Sequence, residues 1–303
     1  MKNTTNYLGI VLFSFTAFVS CSKESASIDW DKFPTGNNHI SSLAEFQNPA
    51  RTYSISEGVY YEQHKIDTLF GKRQLIHITL YKPSVSSLKM EITEPSSTSK
   101  FGKTSAIASA ADAKFAINGS FFNGDGNPSF WLKINDKVVN ATGGPDTERG
   151  EGVFYIDNNN MPHISYRPTS FTAINAAAKF GFGCGPMLLV DGEEQPNGDP
   201  SWNGATRART AIGIRPNGEI IFAVVDETLA PDATAIAAGI TVQQMAKLLK
   251  RLGCTNAINF DGGGSSTMYI KDLGVVSYPS DGSSDNSMQS NRERLVTNTL
   301  ILK

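Results

Sequence analysis

The sequence predicts an α+β fold in a single domain, built mainly from an antiparallel sheet of hairpins with a few packed helices. The clearest hairpin joins apolar residues 210–214 to residues 219–225 through the turn Arg-Pro-Asn-Gly at positions 215–218. Only two segments of the chain have a helical pattern. Strands joined as hairpins, together with a small number of helices, are typical of the α+β class.

The other strands are predicted from short apolar or alternating runs bounded by turn residues. Asn135 and Asp136 separate two of these runs and are typical of a two-residue hairpin turn. The runs lie at residues 75–81, 115–117, 130–134, 137–140, 153–156, 163–166, 187–190, 257–260 and 267–270.

The stronger of the two helices begins at Thr241, where Thr-Val-Gln-Gln forms a capping box with Gln244. Gly253 is placed to end this helix. A weaker, alanine-rich helix is predicted over residues 104–113. One apolar face of the stronger helix is formed by Val242, Met245, Leu248, Leu249 and Leu252.

The first 20 residues predict export from the cytoplasm. Lys2 precedes an apolar run over residues 7–19, which is too short to span a bilayer as a helix, and a serine precedes Cys21. This pattern resembles the bacterial lipoprotein signal, in which the cysteine is lipidated and becomes the mature N-terminus. Residues 1–20 are therefore predicted to be the signal peptide and Cys21 the lipidation site. A plain signal peptide cleaved nearby is the alternative.

Residues 21–52 are polar and show little periodicity, which predicts a tether between a lipid anchor and the folded domain. An ordered arm is the alternative, because Trp30 and Phe33 could dock on the domain. By analogy with lipoprotein sorting, Ser22 favours the outer membrane, with the domain on its periplasmic or cell-surface face. Contact with the membrane is expected through the lipid anchor only.

The composition excludes some function classes. With 27 Lys and Arg against 29 Asp and Glu, the net charge is −2, so no basic surface for nucleic acid is expected. No Cys and His spacing typical of a metal site is present, and neither a metal nor a cofactor is predicted. Cys184 and Cys254 either form a disulfide or remain as two buried free thiols.

A glycine-rich turn after the predicted strand 257–260 is the strongest candidate site. Asp261 is followed by three glycines, Ser265 and Ser266. Glycines allow positive φ and a close approach of backbone to ligand, and successive N–H groups can form an anion-binding nest. Asp261 is placed to act as an acid, a base or an orienting group. The alternative is a glycine-rich hairpin whose aspartate is a cap.

Four other polar clusters fall at strand ends or in turns. Each of them alone is explained equally well by a turn, a cap or a surface charge. These clusters are Asn118-Gly119-Ser120, Gly183-Cys184-Gly185-Pro186, Arg207-Ala208-Arg209-Thr210 and Val225-Asp226-Glu227.

Taken together and in order, these motifs resemble the phosphodiester glycosidase family. The resemblance is carried by Ala-Ile-Asn-Gly-Ser-Phe-Phe, Gly-Pro-Met-Leu-Leu-Val-Asp-Gly, Arg-Thr-Ala-Ile-Gly-Ile, Asn-Phe-Asp-Gly-Gly-Gly-Ser-Ser-Thr-Met and the closing segment of residues 292–298. It implies a phosphodiester glycosidase domain over residues 53–303. It also implies one pocket that contains Asn118, Ser120, Arg209, Asp226, Asp261, Gly262, Gly263, Gly264 and Ser265.

The resemblance suggests a role for each residue type. Arg209 is expected to grip a phosphate through two parallel hydrogen bonds, and the glycine turn to hold further phosphate oxygens. Asp261 is expected to be the catalytic carboxylate with Asp226 as its partner, and Glu227 is the substitute for Asp226. In the alternative, the aspartates hold a structural cation or form a buried ion network with Arg209.

The expected function is an exported hydrolase that cleaves a sugar-1-phosphodiester in a glycan or cell-envelope polymer. The alternative is a non-catalytic lipoprotein that binds a glycan or takes part in exopolysaccharide assembly through the same pocket. A binding protein would need aromatic platforms more than carboxylates. The candidate platforms suit both functions, and they are Phe121, Phe122, Trp131 and Trp202.

Overall fold

In the computed structural model, the described part of the chain is Met1 with residues 40–96, 99–145, 147–196, 201–228, 237–281 and 292–303. The predicted signal peptide, its lipidation site Cys21, and most of the predicted tether lie outside these residues. Within them, no helix has both the length and the apolar character needed to cross a membrane.

The described residues form 22 strands and three α-helices. The strands are β1 (Arg51–Ser56), β2 (Val59–Ile66), β3 (Gln74–Tyr81), β4 (Met90–Thr93), β5 (Gly102–Lys103), β6 (Phe115–Asn118), β7 (Leu132–Ile134), β8 (Lys137–Asn140), β9 (Gly152–Asp157), β10 (Pro162–Tyr166), β11 (Ala178–Cys184), β12 (Met187–Val190), β13 (Glu193–Glu194), β14 (Arg209–Ile214), β15 (Ile220–Val225), β16 (Glu227–Thr228), β17 (Ala237–Ala238), β18 (Asn256–Asn259), β19 (Met268–Ile270), β20 (Gly274–Val275), β21 (Leu295–Val296) and β22 (Thr299–Leu302). The helices are α1 (Thr104–Ala110), α2 (Thr172–Ala177) and α3 (Val242–Arg251).

Three larger sheets carry the architecture. The main sheet has eight strands in the order β1-β2-β3-β15-β14-β18-β12-β13. Two five-stranded sheets have the orders β10-β9-β11-β7-β8 and β20-β19-β6-β22-β4. Every strand pair among the described residues is antiparallel, which confirms the predicted mainly antiparallel class.

The main sheet separates two apolar cores. Alternate side chains of its strands face the two five-stranded sheets and form the larger core with them. The other face of the main sheet is covered by α3 and by residues just before β1. Because side chains alternate between faces, each central strand contributes to both cores.

The predicted hairpins are confirmed. β14 and β15 pair from Arg209 opposite Val225 to Ile214 opposite Ile220. At the turn between β7 and β8, Asn135 has φ of 46° and Asp136 has φ of 67°. Two consecutive residues in this region match the right-handed twist of an antiparallel hairpin, and Asn and Asp tolerate it best after glycine.

The predicted capping box of α3 is also present. The Thr241 side chain accepts from the Gln244 amide at 3.1 Å, and the Gln244 side chain accepts from the Thr241 amide at 2.9 Å. Gly253 follows the helix with φ of 84°, in the left-handed region that glycine adopts without strain. The apolar face predicted for this helix is buried against the main sheet.

The last part of the predicted tether is packed on the domain. Ile40 and Phe46 are buried in the core beneath α3, and the Ile40 amide donates to Glu62 Oε1 at 3.0 Å. β1 begins at Arg51 and pairs with β2. Residues 40–52 therefore form an ordered arm, which corrects the predicted C-terminal limit of the tether.

Cys184 and Cys254 are free thiols, and the possible disulfide is not formed. Cys184 belongs to the core between the sheets, whereas Cys254 belongs to the core beneath α3. The main sheet lies between the two thiols, so they cannot meet. Burial raises the pKa of the Cys254 thiol to about 12 and raises the pKa of the Cys184 thiol well above its ordinary value, which keeps both in the neutral form.

The pairing of the strands brings the predicted motifs together at one end of neighbouring strands. β14 lies between β15 and β18, and Ala211 is opposite Asn259, so Arg209 and Asp261 end neighbouring strands. β6 pairs with both β19 and β22, so that Asn118 lies beside the turn that begins at Asp261. These strand ends therefore form the candidate site.

Candidate active site

The turn after β18 is compact because its glycines allow close contacts. Gly263 has φ of 60°, in the region that favours glycine. A Cβ on Gly264 would lie 2.6 Å from Asp281 Cβ and 2.7 Å from Arg294 Nη2. The turn therefore needs glycine for its backbone path and for the side chains that press on it.

Most amides of this turn are engaged within the protein. The Gly262 amide donates to Asp261 Oδ1 at 2.8 Å, and the Gly263 amide donates to the Ala208 carbonyl at 2.7 Å. The Ser265 and Ser266 amides donate to carbonyls of the turn itself. Three of the amides predicted to form a phosphate nest, those of Gly262, Gly263 and Ser265, are thus used within the protein.

Asp261 is partly buried at the start of the turn. Burial raises the pKa of its carboxyl above the ordinary value. Hydrogen bonds from the Ser265 side chain and the Gly262 amide lower the pKa, and so do the charges of Arg294 and Arg149, but burial outweighs them. A carboxyl group that has a raised pKa and interacts with the charges of two arginines is typical of a functional site.

Asn118 holds this turn in place and does not face an open pocket. It is fully buried, and its Nδ2 donates to the Asp261 carbonyl at 2.8 Å. Its Oδ1 accepts from Thr210 Oγ1 at 2.8 Å and from the Thr267 amide at 3.1 Å. The expected contact of Asn118 with substrate is therefore replaced by a structural role, because both polar atoms are engaged.

Ser120 is also held internally. Asn298 Oδ1 accepts from the Ser120 amide at 2.9 Å, and Asn298 Nδ2 donates to Ser120 Oγ at 2.8 Å. A Cβ on Gly119 would overlap the Asn298 side chain. The Asn-Gly-Ser motif thus joins the end of β6 to Asn298, just before β22. Its hydrogen bonds are made within the protein, and its contact with substrate stays a prediction.

Arg209 is buried, and its guanidinium binds backbone carbonyls. Its Nε donates to the Ile240 carbonyl at 3.2 Å, and its Nη2 donates to the carbonyls of Trp202 at 2.9 Å and Ala205 at 2.8 Å. Burial lowers the pKa of Arg209 to about 10. The expected grip on a phosphate is corrected, because this guanidinium organises the loop before β14.

Asp226 is not paired with Asp261. It is 1% exposed, and its Oδ2 lies 2.8 Å from His77 Nε2. Its Oδ1 accepts from the Tyr278 amide at 3.1 Å. Both oxygens of the expected catalytic partner are engaged, so Asp226 belongs to a buried network, though with His77 and not with Arg209.

Glu227, the substitute for Asp226, lies on the surface side of the same strand end. Its Oε1 lies 3.1 Å from Arg207 Nη1, and its Oε2 accepts from the Ala208 amide at 3.3 Å. Glu227 is thus paired with a surface arginine, whereas Asp261 lies in the glycine turn, where the charges of Arg294 and Arg149 act on its carboxyl.

A cleft of about 700 Å³ adjoins these strand ends. Arg149 connects the cleft to the turn, since it lines the cleft and its charge lowers the pKa of Asp261. The cleft is lined by Phe121, Phe122, Asn123, Ser129, Phe130, Pro145, Thr147, Glu148, Arg149 and Trp202. Of the expected aromatic platforms, Trp131 is fully buried and lies elsewhere.

Arg149 is a functional candidate that the sequence analysis missed. Its guanidinium carbon lies 4.6 Å from the Trp202 ring centroid and 5.6 Å from that of Phe121. Stacking of a guanidinium on aromatic rings is favourable and orients the cation. Arg149 lies in a charged loop without a recognisable motif, so no local signal identified it.

Two further groups complete the site. Arg294 belongs to the closing motif but had no assigned role; its Nη1 donates to Ser265 Oγ at 3.4 Å. Glu148 is a second carboxylate in the cleft, and Asn203 Nδ2 donates to its Oε2. Across the residues that the structure describes, no three His, Cys, Asp or Glu side chains converge as a metal-ligand set.

A family model described as Phosphodiester glycosidase matches residues 111–303, which is more than half of the chain. The chain belongs to the phosphodiester glycosidase family. The match covers the strand before Asn118, the cleft loop, the Asp261 turn and the closing segment. The resemblance inferred from the motifs is confirmed.

Relatives of this family member include an enzyme. Human N-acetylglucosamine-1-phosphodiester alpha-N-acetylglucosaminidase is 26% identical over 198 residues, which cover 61% of this chain and 37% of the human protein. An SPbeta prophage-derived uncharacterized protein of Bacillus subtilis (strain 168) is 28% identical over 193 residues, covering 62% of this chain and 27% of that protein. The chain thus spans well under half of each of these relatives.

Solved structures show the same fold. The catalytic domain of zebrafish N-acetylglucosamine-1-phosphodiester alpha-N-acetylglucosaminidase, auto-inhibited by pro-peptide, matches with a TM-score of 0.62 and 20% identity, covering 88% of this chain and 86% of that one. A hypothetical protein from Synechocystis matches with a TM-score of 0.60 and 14% identity, covering 84% and 64%.

The role of Arg209 in this phosphodiester glycosidase family member can be tested by Arg209→Lys. A lysine ammonium cannot reach three carbonyls in this geometry, so the free energy of unfolding should fall by about 2 kcal/mol or more. Urea unfolding would measure it. Arg207→Lys is the matched control; Arg207 is 57% exposed, and its surface ion pair should contribute less than about 1 kcal/mol. Equal stability of both variants would contradict the structural role of Arg209 and would support its predicted contact with substrate.

The raised pKa of Asp261 predicts a pH-dependent cost to stability. Because the folded-state pKa lies above the ordinary value of 3.8, the stability contribution of Asp261 is complete at low pH and is lost as the carboxyl ionises. Asp261→Asn should raise the melting temperature at pH 7, and the gain should shrink towards about pH 4. The exposed Asp191→Asn serves as control. A gain that grows at low pH would contradict the assigned direction.

Proposed function

We propose that this protein hydrolyses the bond between the anomeric carbon of a sugar and a phosphodiester oxygen. The observation that carries the proposal is the carboxyl group of Asp261, which has a raised pKa and interacts with the charges of Arg294 and Arg149, the second of which lines an aromatic cleft. The relatives named N-acetylglucosamine-1-phosphodiester alpha-N-acetylglucosaminidase support the same substrate class.

Arg149 and Arg294 take the role that was expected of Arg209. Arg149 is exposed in the cleft and stacked on Trp202, and Arg294 is 40% exposed beside Ser265. Unlike buried Arg209, both guanidinium groups are accessible to a phosphodiester. Guanidinium groups near the leaving oxygen stabilise the charge that develops there, and such electrostatic stabilisation often contributes more to catalysis than any other effect.

Asp261 acts on the sugar. As the bond from the anomeric carbon to the phosphate oxygen breaks, the electron pair leaves with the phosphate and positive charge develops on the ring. An ionised Asp261 stabilises that charge and accepts a proton from the attacking water, whose oxygen bonds to the anomeric carbon. The departing phosphate monoester is stable as an anion, so the reaction has little need of a general acid.

The aromatic cleft holds the sugar or the group on the other side of the phosphate. Aromatic walls with a few convergent polar groups are typical of small-molecule sites. Trp202, Phe121 and Phe122 supply the apolar contact, and Glu148 and Asn123 supply polar groups. The cleft volume of about 700 Å³ is within the range of pockets that enclose ligands of this size.

Asp261→Asn tests the proposal directly. Asparagine keeps the shape and most of the hydrogen bonds but cannot ionise, so kcat on a sugar-1-phosphodiester should fall by at least about 10²-fold. Release of free sugar from uridine diphosphate N-acetylglucosamine or a methyl phosphodiester of N-acetylglucosamine would measure it. Asp191→Asn, an exposed substitution in the β12–β13 turn, should leave kcat unchanged.

Two results would count against this function. A folded Asp261→Asn protein with near-normal turnover would remove Asp261 from the chemistry. Binding of the phosphodiester by wild type without release of sugar would support the alternative, a glycan-binding or exopolysaccharide-assembly lipoprotein that uses the same cleft.

We also propose that the protein is exported and is anchored to a membrane by a lipid on Cys21. Outside the cytoplasm, its substrate would be a glycan or a cell-envelope polymer. The apolar run before Cys21 supports this location. In a bacterial host, wild type should incorporate radiolabelled palmitate and sediment with membranes, and Cys21→Ala should do neither. Label-free, soluble wild-type protein would favour the plain signal peptide.

A further inference from the structure

The proposed chemistry leaves a buried chain of polar groups unexplained. Tyr61 Oη lies 2.9 Å from His77 Nδ1, and His77 Nε2 lies 2.8 Å from Asp226 Oδ2. All three side chains are at most 1% exposed. Burial of charged and polar groups is costly unless each has a hydrogen-bond partner. The last member of this series, Asp226, also binds the backbone of a loop.

The loop that receives this contact begins after β20. Asp226 Oδ1 accepts from the Tyr278 amide at 3.1 Å. Just before that point, the Val276 amide donates to the Met268 carbonyl at 2.9 Å, and Ser277 Oγ accepts from the Met268 amide at 2.8 Å. Asp226 is therefore the last of three successive anchors that fix residues 276–278.

Three residues later, the same loop reaches the catalytic turn. Asp281 Oδ2 lies 2.5 Å from Arg294 Nε, and Arg294 Nη1 donates to Ser265 Oγ at 3.4 Å. Ser265 in turn contacts the Asp261 side chain. Gly264 lies under both members of the Asp281–Arg294 pair, where a Cβ would not fit.

We propose that Asp226 and Asp281 are positioning residues: Asp226 holds residues 278–281, and Asp281 holds the Arg294 guanidinium at the catalytic turn. This inference rests on the proposed role of Asp261. Asp226 thus serves the reaction without touching the substrate, through a path of hydrogen bonds and one ion pair.

The physical reason is the flexibility of Arg294. Its side chain is 40% exposed, and a long exposed side chain without a partner samples many rotamers. The Coulomb interaction with Asp261 falls with distance, so a displaced guanidinium would stabilise ionised Asp261 less. A buried anchor at Asp226 transmits rigidity from the core to this cation, as supporting residues do in preorganised sites.

The test measures the pKa of Asp261 in the full chain from its carboxyl ¹³C shift, assigned with Asp261→Asn. The groups that face this carboxyl are Arg149, Arg294, Ser265 and the Gly262 amide. Arg294→Gln is the reference and should raise the pKa by about half a unit or more. Asp281→Ala should raise it in the same direction.

The direction of the shift discriminates between mechanisms. Loss of the Asp281 negative charge alone would lower the pKa of Asp261, so an upward shift requires that Arg294 has moved away. Asp272→Asn is the matched control, because Asp272 is an exposed carboxylate in the preceding hairpin turn that contacts Tyr53 and not Arg294. It should leave the pKa of Asp261 unchanged.

Two substitutions at Asp226 complete the test. Asp226→Asn keeps an oxygen for the Tyr278 amide and should change little, whereas Asp226→Leu removes it and should raise the pKa of Asp261. If Asp226→Leu does not fold, Asp281→Ala decides. An unchanged or lowered pKa in Asp281→Ala, or in folded Asp226→Leu, overturns the proposal.

Activity separates this proposal from the proposed function. The effects of Asp281→Ala and Arg294→Gln on kcat should not add, because both remove the same interaction. Inactive wild type would reject the glycosidase function and leave the pKa measurement valid. Inactive Asp261→Asn, with an unshifted pKa in Asp281→Ala, would keep the function and reject the positioning role.

Discussion

The buried amide of Asn118 is the interaction on which the candidate site depends. Its Nδ2 binds the carbonyl of Asp261, and its Oδ1 binds Thr210 and the Thr267 amide. These contacts join the end of β6 to the start of β14 and to both ends of the glycine turn. Because Thr210 and Thr267 are fully buried, loss of the Asn118 amide would leave polar groups unsatisfied, which is costly in a protein interior.

The arginines near Asn118 have two different roles. Arg209 stabilises the local structure, whereas Arg149 and Arg294 are accessible to a ligand. Arg209 is buried and binds three backbone carbonyls, which orders the loop that carries Trp202. Arg149 and Arg294 are accessible and act on Asp261 through charge. A guanidinium can do either task, since it combines a permanent charge with five donors, and burial decides which one it performs.

Features that depend on neighbouring residues were predictable. The Asn-Asp turn between β7 and β8 and the capping box of α3 are formed by residues within four positions of each other. The ordered arm over residues 40–52 was predicted only as the alternative to a tether, because Ile40 and Phe46 are buried by strands and a helix far along the chain. Likewise, the two cysteines suit a disulfide by composition, yet a sheet separates them.

The sequence by itself determined the family and the antiparallel hairpins, and it singled out the Asp261 turn as a candidate site, because motif order, turn residues and glycine spacing can be read from the sequence alone. Only the tertiary structure decided that Arg209 and Asp226 are buried, and that the charges of Arg149 and Arg294 act on Asp261. The physical reason is that hydrogen-bond partners come from distant strands. A residue at a strand end can face solvent or the interior, and its partners select the direction.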